Sequence, residues 1–146
     1  VLVGHQLVER LGDGLGEPVD LGPLVNMAAL DKVEEHIADA VAKGATILTG
    51  GKRHALGGSF FQPTIVTGVT QAMAVAQEET FGPLAPLFRF ETEDEAIARA
   101  NDTIFGLASY FYARDIGRVT RVQEALEYGI VGVNTGIIST EVAPFG

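Results

Sequence analysis

Segments with helical periodicity alternate with short β-branched segments along this 146-residue chain. Asn26 is a typical helix N-cap. Apolar residues then recur every three or four positions, at Leu30, Val33, Ile37 and Val41. Gly44 fits the end of that helix, and residues 45–49 have the composition of a strand. A helix followed closely by a strand is typical of α/β folds.

The same alternation continues to the other end of the chain. Further strands are predicted at residues 60–66, 84–90, 107–112 and 130–134. Thr92 begins a capping box and Asp115 is another N-cap, so helices are predicted after both residues. Pro63 predicts that the strand 60–66 lies at an edge or is irregular. The whole pattern predicts one α/β domain with a mainly parallel sheet flanked by helices.

The charge of the chain argues against a nucleic-acid partner. There are 10 Lys and Arg residues against 19 Asp and Glu residues, for a net charge of −9, whereas binding to phosphates requires a basic surface. No apolar run approaches the roughly 20 residues that a membrane-spanning helix needs. We therefore expect neither a nucleic-acid nor a membrane partner, and a cytoplasmic location is the default expectation.

The residues that usually bind metals give no sign of a metal site. The chain has no cysteine, which excludes thiolate ligands and disulfide bonds. The histidines, His5, His36 and His54, lie far apart and lack the spacing of metal ligands. We expect His36 to be solvated on the polar side of its helix, and the neighbouring acids Glu34 and Glu35 to be solvated as well.

A glycine-rich run, Gly12-Asp13-Gly14-Leu15-Gly16, has the composition of a phosphate-binding loop. The dinucleotide fingerprint requires a further glycine at position 17, which is Glu17 here, and no clear strand precedes the run. The run is therefore interpreted as a structural turn.

The run from Gln77 to Pro83 places two acids beside Phe81 and a rigid Gly-Pro bend. A carboxylate next to an aromatic ring suits a ligand with a ring and hydroxyl groups, because a carboxylate can accept two hydrogen bonds from a ribose diol. The alternative is a loop that Phe81 anchors in the core and whose acids are merely exposed. Spacing alone favours this alternative.

Four motifs that occur in a fixed order bear on how the run from Gln77 to Pro83 is interpreted. They are residues 79–83, 105–109, 129–136 and 143–146. In order and spacing the chain resembles the C-terminal half of the aldehyde dehydrogenase catalytic domain, and the resemblance covers essentially all of it. Within that family the chain is most similar to succinate-semialdehyde dehydrogenases, on the motifs at residues 50–54, 78–86 and 136–140. Residues 1–146 are therefore predicted to be a partial catalytic domain.

The resemblance implies roles for individual residues. Glu79 matches the glutamate that holds the nicotinamide ribose hydroxyls of NAD or NADP, and Phe81 matches the aromatic residue near the nicotinamide ring. Ser139 matches a serine that binds the substrate carboxylate, although a loop serine bonded to backbone is the alternative. Asn134 is expected to have a structural role. The implied substrate is a small aldehyde, which Ser139 would help to bind, and the implied assembly is a homo-oligomer.

The chain also departs from the family pattern. The family nucleophile is a cysteine, and this chain has none, so no catalytic residue is assigned. The glutamate base, the oxyanion asparagine and the glycine-rich cofactor region are expected upstream. We therefore expect a segment of a larger enzyme that oxidises an aldehyde. The alternatives are a non-catalytic folding or assembly module and a segment of another aldehyde dehydrogenase subfamily.

Overall fold

The computed structural model of the protein describes residues 10–15 and 18–138. The chain divides into two compact units, unit 1 (Val1–Arg89) and unit 2 (Phe90–Gly146). In order, unit 1 contains α1 (Met27–Ala42), β1 (Thr46–Thr49), β2 (Thr64–Thr67), the short α2 (Ala74–Gln77) and β3 (Leu84–Leu87). Unit 2 contains α3 (Glu93–Asn101), β4 (Ala108–Phe111), α4 (Ile116–Ala125) and β5 (Ile130–Val133).

Local signals set the ends of α1 as predicted. The side-chain oxygen of Asn26 accepts a hydrogen bond of 2.9 Å from the Ala29 N–H, which satisfies a free donor of the first turn. Gly44 follows the helix with φ of 98°, a conformation that glycine adopts without steric cost. The buried face differs slightly from the prediction, because Ala40 is buried whereas Val41 is 45% exposed.

The sheet of unit 1 has the order β1-β2-β3. Strand β1 pairs with β2 antiparallel, and β2 pairs with β3 parallel. The prediction of an edge strand is wrong, because β2 is central; Pro63 precedes the strand and removes no donor from its ladder. The pairing of β1 with β2 is nevertheless irregular, since its register shifts between Ile47 and Thr49.

The core of unit 1 lies where α1 meets this sheet. One cluster comprises Ala40, Ala45, Val66, Val69 and Met73. A second cluster comprises Leu30, Val33, Ile37 and Phe61. Leu84 of β3 is partly buried against both clusters, so the start of that strand is held beside α1.

Between residues 90 and 138, unit 2 contains two helices and two strands. Strands β4 and β5 are parallel, with Ala108 opposite Ile130. Thr92 and Asp115 cap α3 and α4 as predicted, each accepting from a backbone N–H of the first turn. The predicted α/β class is confirmed, and the pairings β2–β3 and β4–β5 are both parallel. None of the described helices is long and apolar enough to cross a membrane.

Candidate functional site

The predicted site residues Glu79 and Phe81 lie in the loop between α2 and β3. Both residues are exposed, and Phe81 is 81% exposed. The alternative in which Phe81 anchors the loop in the core is therefore wrong. The carboxylate of Glu79 has no hydrogen-bond or ion-pair partner among the described residues, so it is open to a ligand.

The backbone at Phe81 is in an unusual conformation. Its φ is 49°, in the left-handed region that a bulky side chain rarely adopts. Such a residue costs on the order of 1 to 3 kcal/mol and persists only where the surrounding structure holds it. Downstream, the Pro83 carbonyl accepts a 2.8 Å bond from the N–H of Thr64 in the neighbouring strand. The loop is therefore joined firmly to the sheet just after Phe81.

Gly82 brings the loop into close contact with α1. A Cβ atom at this position would lie 2.4 Å from the Cγ2 atom of Val33, which is far inside contact distance. Val33 is completely buried, so it has little room to move aside. A glycine is therefore needed at position 82 for the loop to pass this close to the helix.

Lys32 of α1 holds the backbone of Glu79 itself. Its Nζ atom donates a hydrogen bond of 2.6 Å to the Glu79 carbonyl oxygen. A hydrogen bond from a charged donor is stronger than one between neutral groups. The bond fixes the peptide plane after Glu79 while leaving the Glu79 carboxylate unengaged.

His36, one turn further along α1, is buried between two residues of the same loop. Its Nδ1 atom lies 2.9 Å from Thr80 Oγ1, and its Nε2 atom lies 3.5 Å from a carboxylate oxygen of Glu78. The prediction of a solvated His36 is wrong, because only 4% of the residue is exposed. A sequence signal existed: His36 lies between Val33 and Ile37 on the apolar face of the helix.

Two further side chains of α1 hold the segment around α2. Asp39 accepts a 2.8 Å bond from the N–H of Ala74, the first residue of α2, and also pairs with Lys43 at 2.7 Å. Lys43 in turn donates to the carbonyl oxygen of Ala72 at 2.7 Å. The hydrogen bond from Lys43, and secondly that from Ala74, lower the pKa of Asp39. Sequence reasoning assigned no role to these residues.

These contacts come from one side of the helix. We call Lys32, His36, Asp39 and Lys43 the α1 stripe. Their spacing of four, three and four residues places them in one row along a helix of 3.6 residues per turn. Each member of the row contacts the chain between Ala72 and Thr80.

The acids beside this row do not all remain solvated. Arg53 donates two hydrogen bonds to the Glu34 carboxylate, of 2.8 and 2.6 Å. These bonds lower the pKa of Glu34. The prediction of a merely solvated Glu34 is therefore wrong, whereas Glu35 is exposed as predicted. No group of three His, Asp or Glu residues among the described residues could hold a metal ion.

Asn134, in unit 2, has the expected structural contacts. It lies directly after β5 with φ of 54°. Its amide side chain accepts from the N–H of Ala113 and donates to the carbonyl oxygen of Ala113, both at 2.9 Å. These two hydrogen bonds join the end of β5 to the chain that follows β4. Ser139 lies outside the described residues.

The glycine-rich run at residues 12–16 shows the features of a turn as far as residue 15. Asp13 accepts a 3.0 Å bond from the N–H of Leu15, and Gly14 has φ of 76°. Gly16 and Glu17 lie outside the described residues.

Comparison with known proteins decides the family. The model of the aldehyde dehydrogenase family matches residues 5–146. The chain belongs to the aldehyde dehydrogenase family. The resemblance predicted from the motifs is thereby confirmed.

Three curated aldehyde dehydrogenases with nearly equal sequence identity to this chain are named after different aldehyde substrates. Succinate-semialdehyde dehydrogenase [NADP(+)] of Escherichia coli (strain K12) is 66% identical over 97% of this chain. 3-Sulfolactaldehyde dehydrogenase of Pseudomonas putida is 65% identical and glutarate-semialdehyde dehydrogenase of Pseudomonas aeruginosa is 64% identical, each over 94% of the chain. The chain spans 30% of the length of the first relative and 28% of the other two.

Solved aldehyde dehydrogenase structures agree with the fold. Succinate-semialdehyde dehydrogenase from Burkholderia pseudomallei matches with a TM-score of 0.92 and 67% identity, covering 94% of this chain and 29% of its own. Betaine aldehyde dehydrogenase from Staphylococcus aureus, solved in complex with NAD+, matches with a TM-score of 0.87 and 40% identity, covering 94% and 28%. NADP+ and NAD+ are thus both named among the matched proteins, in agreement with the cofactor prediction.

Proposed function

We propose that this chain is part of an aldehyde dehydrogenase that oxidises succinic semialdehyde to the carboxylic acid with NAD+ or NADP+. The observation that carries the proposal is the loop of Glu79 and Phe81. It presents an unpartnered carboxylate and an exposed ring from a backbone held by α1 and the sheet. A nicotinamide riboside has two ribose hydroxyls that a free carboxylate can bind, and a nicotinamide ring that an exposed aromatic side chain can cover.

The proposed roles follow from the chemistry of these two side chains. The Glu79 carboxylate accepts hydrogen bonds from the two ribose hydroxyls, and such charge-assisted bonds are strong. The Phe81 ring covers one side of the nicotinamide and excludes water from it. The cofactor, when bound, supplies a hydride acceptor for the aldehyde. In this family a cysteine thiolate attacks the aldehyde carbon, and because these 146 residues contain no cysteine, the nucleophile lies outside them.

The proposed substrate class is a small aldehyde with an anionic group at its far end. Succinic semialdehyde, glutaric semialdehyde and 3-sulfolactaldehyde, after which three relatives are named, all fit this description. A hydroxyl such as that of Ser139 is a suitable donor to a carboxylate or sulfonate. The choice of succinic semialdehyde rests on the narrower motif resemblance. A homo-oligomer in the cytoplasm remains our prediction for the whole enzyme.

A chimaera tests the cofactor role of Glu79. This chain would replace the matching segment of the Escherichia coli relative, and NADP+ reduction with succinic semialdehyde would be followed. Glu79→Gln should raise the KM for NADP+ by about tenfold, because hydrogen bonds to a charged group contribute roughly 1.5 to 3 kcal/mol. Glu124→Gln is the matched control, since Glu124 is exposed and has no partner among the described residues. An unchanged KM in Glu79→Gln would contradict the assignment.

The isolated chain supplies a second test. Without a cysteine it should show no oxidation of succinic semialdehyde above the buffer blank. Turnover by the purified chain would overturn the family mechanism for this protein.

The competing proposal is a non-catalytic folding or assembly module. The two-stranded sheet of unit 2 favours it, because β4 and β5 each have an open edge among the described residues, and open edges pair with other chains. Light scattering of the isolated chain at high concentration tests this proposal. A dimer would support it, and a monomer would count against it.

A further inference from the structure

Two members of the α1 stripe, Lys32 and His36, contact the loop that carries Glu79 and Phe81. We infer that Lys32 and His36 are positioning residues, which hold this loop in the conformation that presents Glu79 and Phe81 to the cofactor. The inference rests on the proposed function of the loop. The two residues touch neither the Glu79 carboxylate nor the Phe81 ring; they act on the backbone and on the neighbours of both.

Lys32 and His36 engage three consecutive residues. Lys32 bonds the carbonyl oxygen of Glu79, and His36 contacts the side chains of Glu78 and Thr80 on either side of it. The backbone at Glu78 is extended, with φ of −121° and ψ of 138°, and successive side chains of an extended segment point to opposite sides. Because Glu78 contacts His36 of α1, we expect the Glu79 side chain to point away from the helix. The direction of the open carboxylate thus follows from the contacts of its neighbours.

His36 is suited to make both contacts at once. A neutral imidazole has one N–H donor and one acceptor nitrogen. With its proton on Nε2, the ring donates towards the Glu78 carboxylate, while Nδ1 accepts from the Thr80 hydroxyl. A buried ring nitrogen without a partner would be costly, so the loop and the histidine stabilise each other's placement.

Phe81 shows why such fixing is needed. Its left-handed backbone is unfavourable, and the residue would relax to negative φ if the segment before it were released. The segment after it is held independently, by the contact of Gly82 with Val33 and by the bond from Thr64 to Pro83. Lys32 and His36 therefore supply the upstream half of the restraint. Preorganising a loop in its binding conformation raises affinity by lowering the ordering cost.

Hydrogen exchange of the 146-residue chain tests this inference. The Glu78 amide, next to Glu79, donates a hydrogen bond to the Ala74 carbonyl oxygen. Lys32→Met should speed exchange of this amide by about fivefold, the effect of losing one hydrogen bond of roughly 1 kcal/mol. Lys52→Met is the matched control, because Lys52 is an exposed lysine of unit 1 whose side chain has no partner among the described residues. Lys32→Arg keeps a donor and should restore slow exchange, which a purely space-filling role would not predict.

His36→Ala should speed exchange of the same Glu78 amide, with His54→Ala as its control. His54 accepts a bond from Leu56, outside the loop. If burial makes His36→Ala too unstable, the Lys32 series decides the question, because that lysine lies at the surface. Unchanged exchange of the Glu78 amide in Lys32→Met would overturn the inference.

Kinetics of the chimaera separate this inference from the proposed function. Lys32→Met should raise the KM for NADP+ about fivefold and leave kcat at saturating NADP+ unchanged. If Glu79→Gln has no effect on KM while Lys32→Met still speeds exchange, the proposed function fails and the positioning of the loop stands. If Glu79→Gln raises KM and Lys32→Met changes neither readout, the positioning inference fails alone.

Discussion

The two units differ in how they hold themselves together. Unit 1 supplies all the buried apolar residues among the described ones: Leu30, Val33, Ile37, Ala40, Ala45, Phe61, Val66, Val69 and Met73. In unit 2 no described residue except Gly132 is buried, and Glu93 forms ion pairs with the exposed residues Arg118 and Arg121. A unit as short as Phe90–Gly146 buries a smaller fraction of its surface than a larger one.

This difference bears on the candidate site. The loop of Glu79 and Phe81 belongs to the unit with the buried core, and it contacts α1, the helix that contributes most to that core. A binding group on a rigid support loses less entropy when a ligand binds. We therefore expect the loop of Glu79 and Phe81 to depend on the packing of unit 1. The following changes test the contrast between the units in order of expected effect.

The largest effect is expected from Phe61→Ala. Phe61 is 2% exposed in the second core cluster of unit 1, so its removal leaves a cavity and should lower the free energy of unfolding by about 3 to 5 kcal/mol. Denaturant unfolding followed by far-UV circular dichroism measures the loss. Phe105→Ala is the control in unit 2, where the side chain is 41% exposed, and it should cost much less. Equal losses would refute the contrast between the units.

A smaller effect is expected from Gly82→Ala. The added methyl group would overlap Val33, and overpacking of this kind costs about 1 to 3 kcal/mol. In unit 2, Gly106→Ala places a Cβ atom 3.4 Å from the nearest atom, the Glu127 carbonyl oxygen, so it should be nearly neutral. Thermal unfolding of both variants tests whether the close approach to α1 is real. A neutral Gly82→Ala would mean that the loop can move off the helix.

Phe81 should respond differently from the core phenylalanine. Because its ring is exposed, Phe81→Gly removes little buried surface and relieves the left-handed strain. Phe81→Gly should therefore be more stable than Phe81→Ala by about 1 kcal/mol, since alanine keeps the strain without the ring. Denaturant unfolding of the two variants measures this difference. A more stable alanine variant would show that the backbone is not left-handed in solution.

The smallest effect concerns the pH dependence of unit 2. Hydrogen bonds from Arg121, and secondly from Arg118, lower the pKa of Glu93. A carboxylate with a lowered pKa in the folded state adds stability above its unfolded pKa, and that stability is lost as the pH falls through the lowered value. Glu93→Gln should therefore flatten the loss of stability below about pH 4 to 5, the ordinary titration range of a glutamate.

Tyrosine fluorescence is a convenient probe of this titration. The chain has no tryptophan, and its three tyrosines, Tyr110, Tyr112 and Tyr128, all belong to unit 2. Glu124→Gln is the control, because that glutamate has no partner among the described residues. If wild type and Glu93→Gln lose stability identically in acid, the ion pairs of Glu93 contribute nothing to unit 2.

Much of the local structure was predictable from the sequence. The caps at Asn26, Thr92 and Asp115 and the stop at Gly44 all lie where the pattern places them. These features depend on hydrogen bonds and backbone preferences within about four residues, so a short window of sequence contains the whole interaction. The family, too, followed from the order of the motifs.

The central position of β2 was not predictable in the same way. Pro63 correctly marked a place where a ladder bond is impossible, but the strand begins one residue later and pairs on both sides. Strand order depends on which segments meet across the sheet, and no local pattern contains that information.

The sequence by itself therefore determined where α1, α3 and α4 begin, the α/β class and the aldehyde dehydrogenase family. Only the tertiary structure decided that His36 is buried, that Phe81 is exposed in a left-handed conformation, and that the Glu79 carboxylate is left open. The physical reason is distance along the chain. Lys32 and Glu79 are 47 residues apart, and His36 and Thr80 are 44 residues apart, so their bonds exist only once α1 and the loop have been brought together.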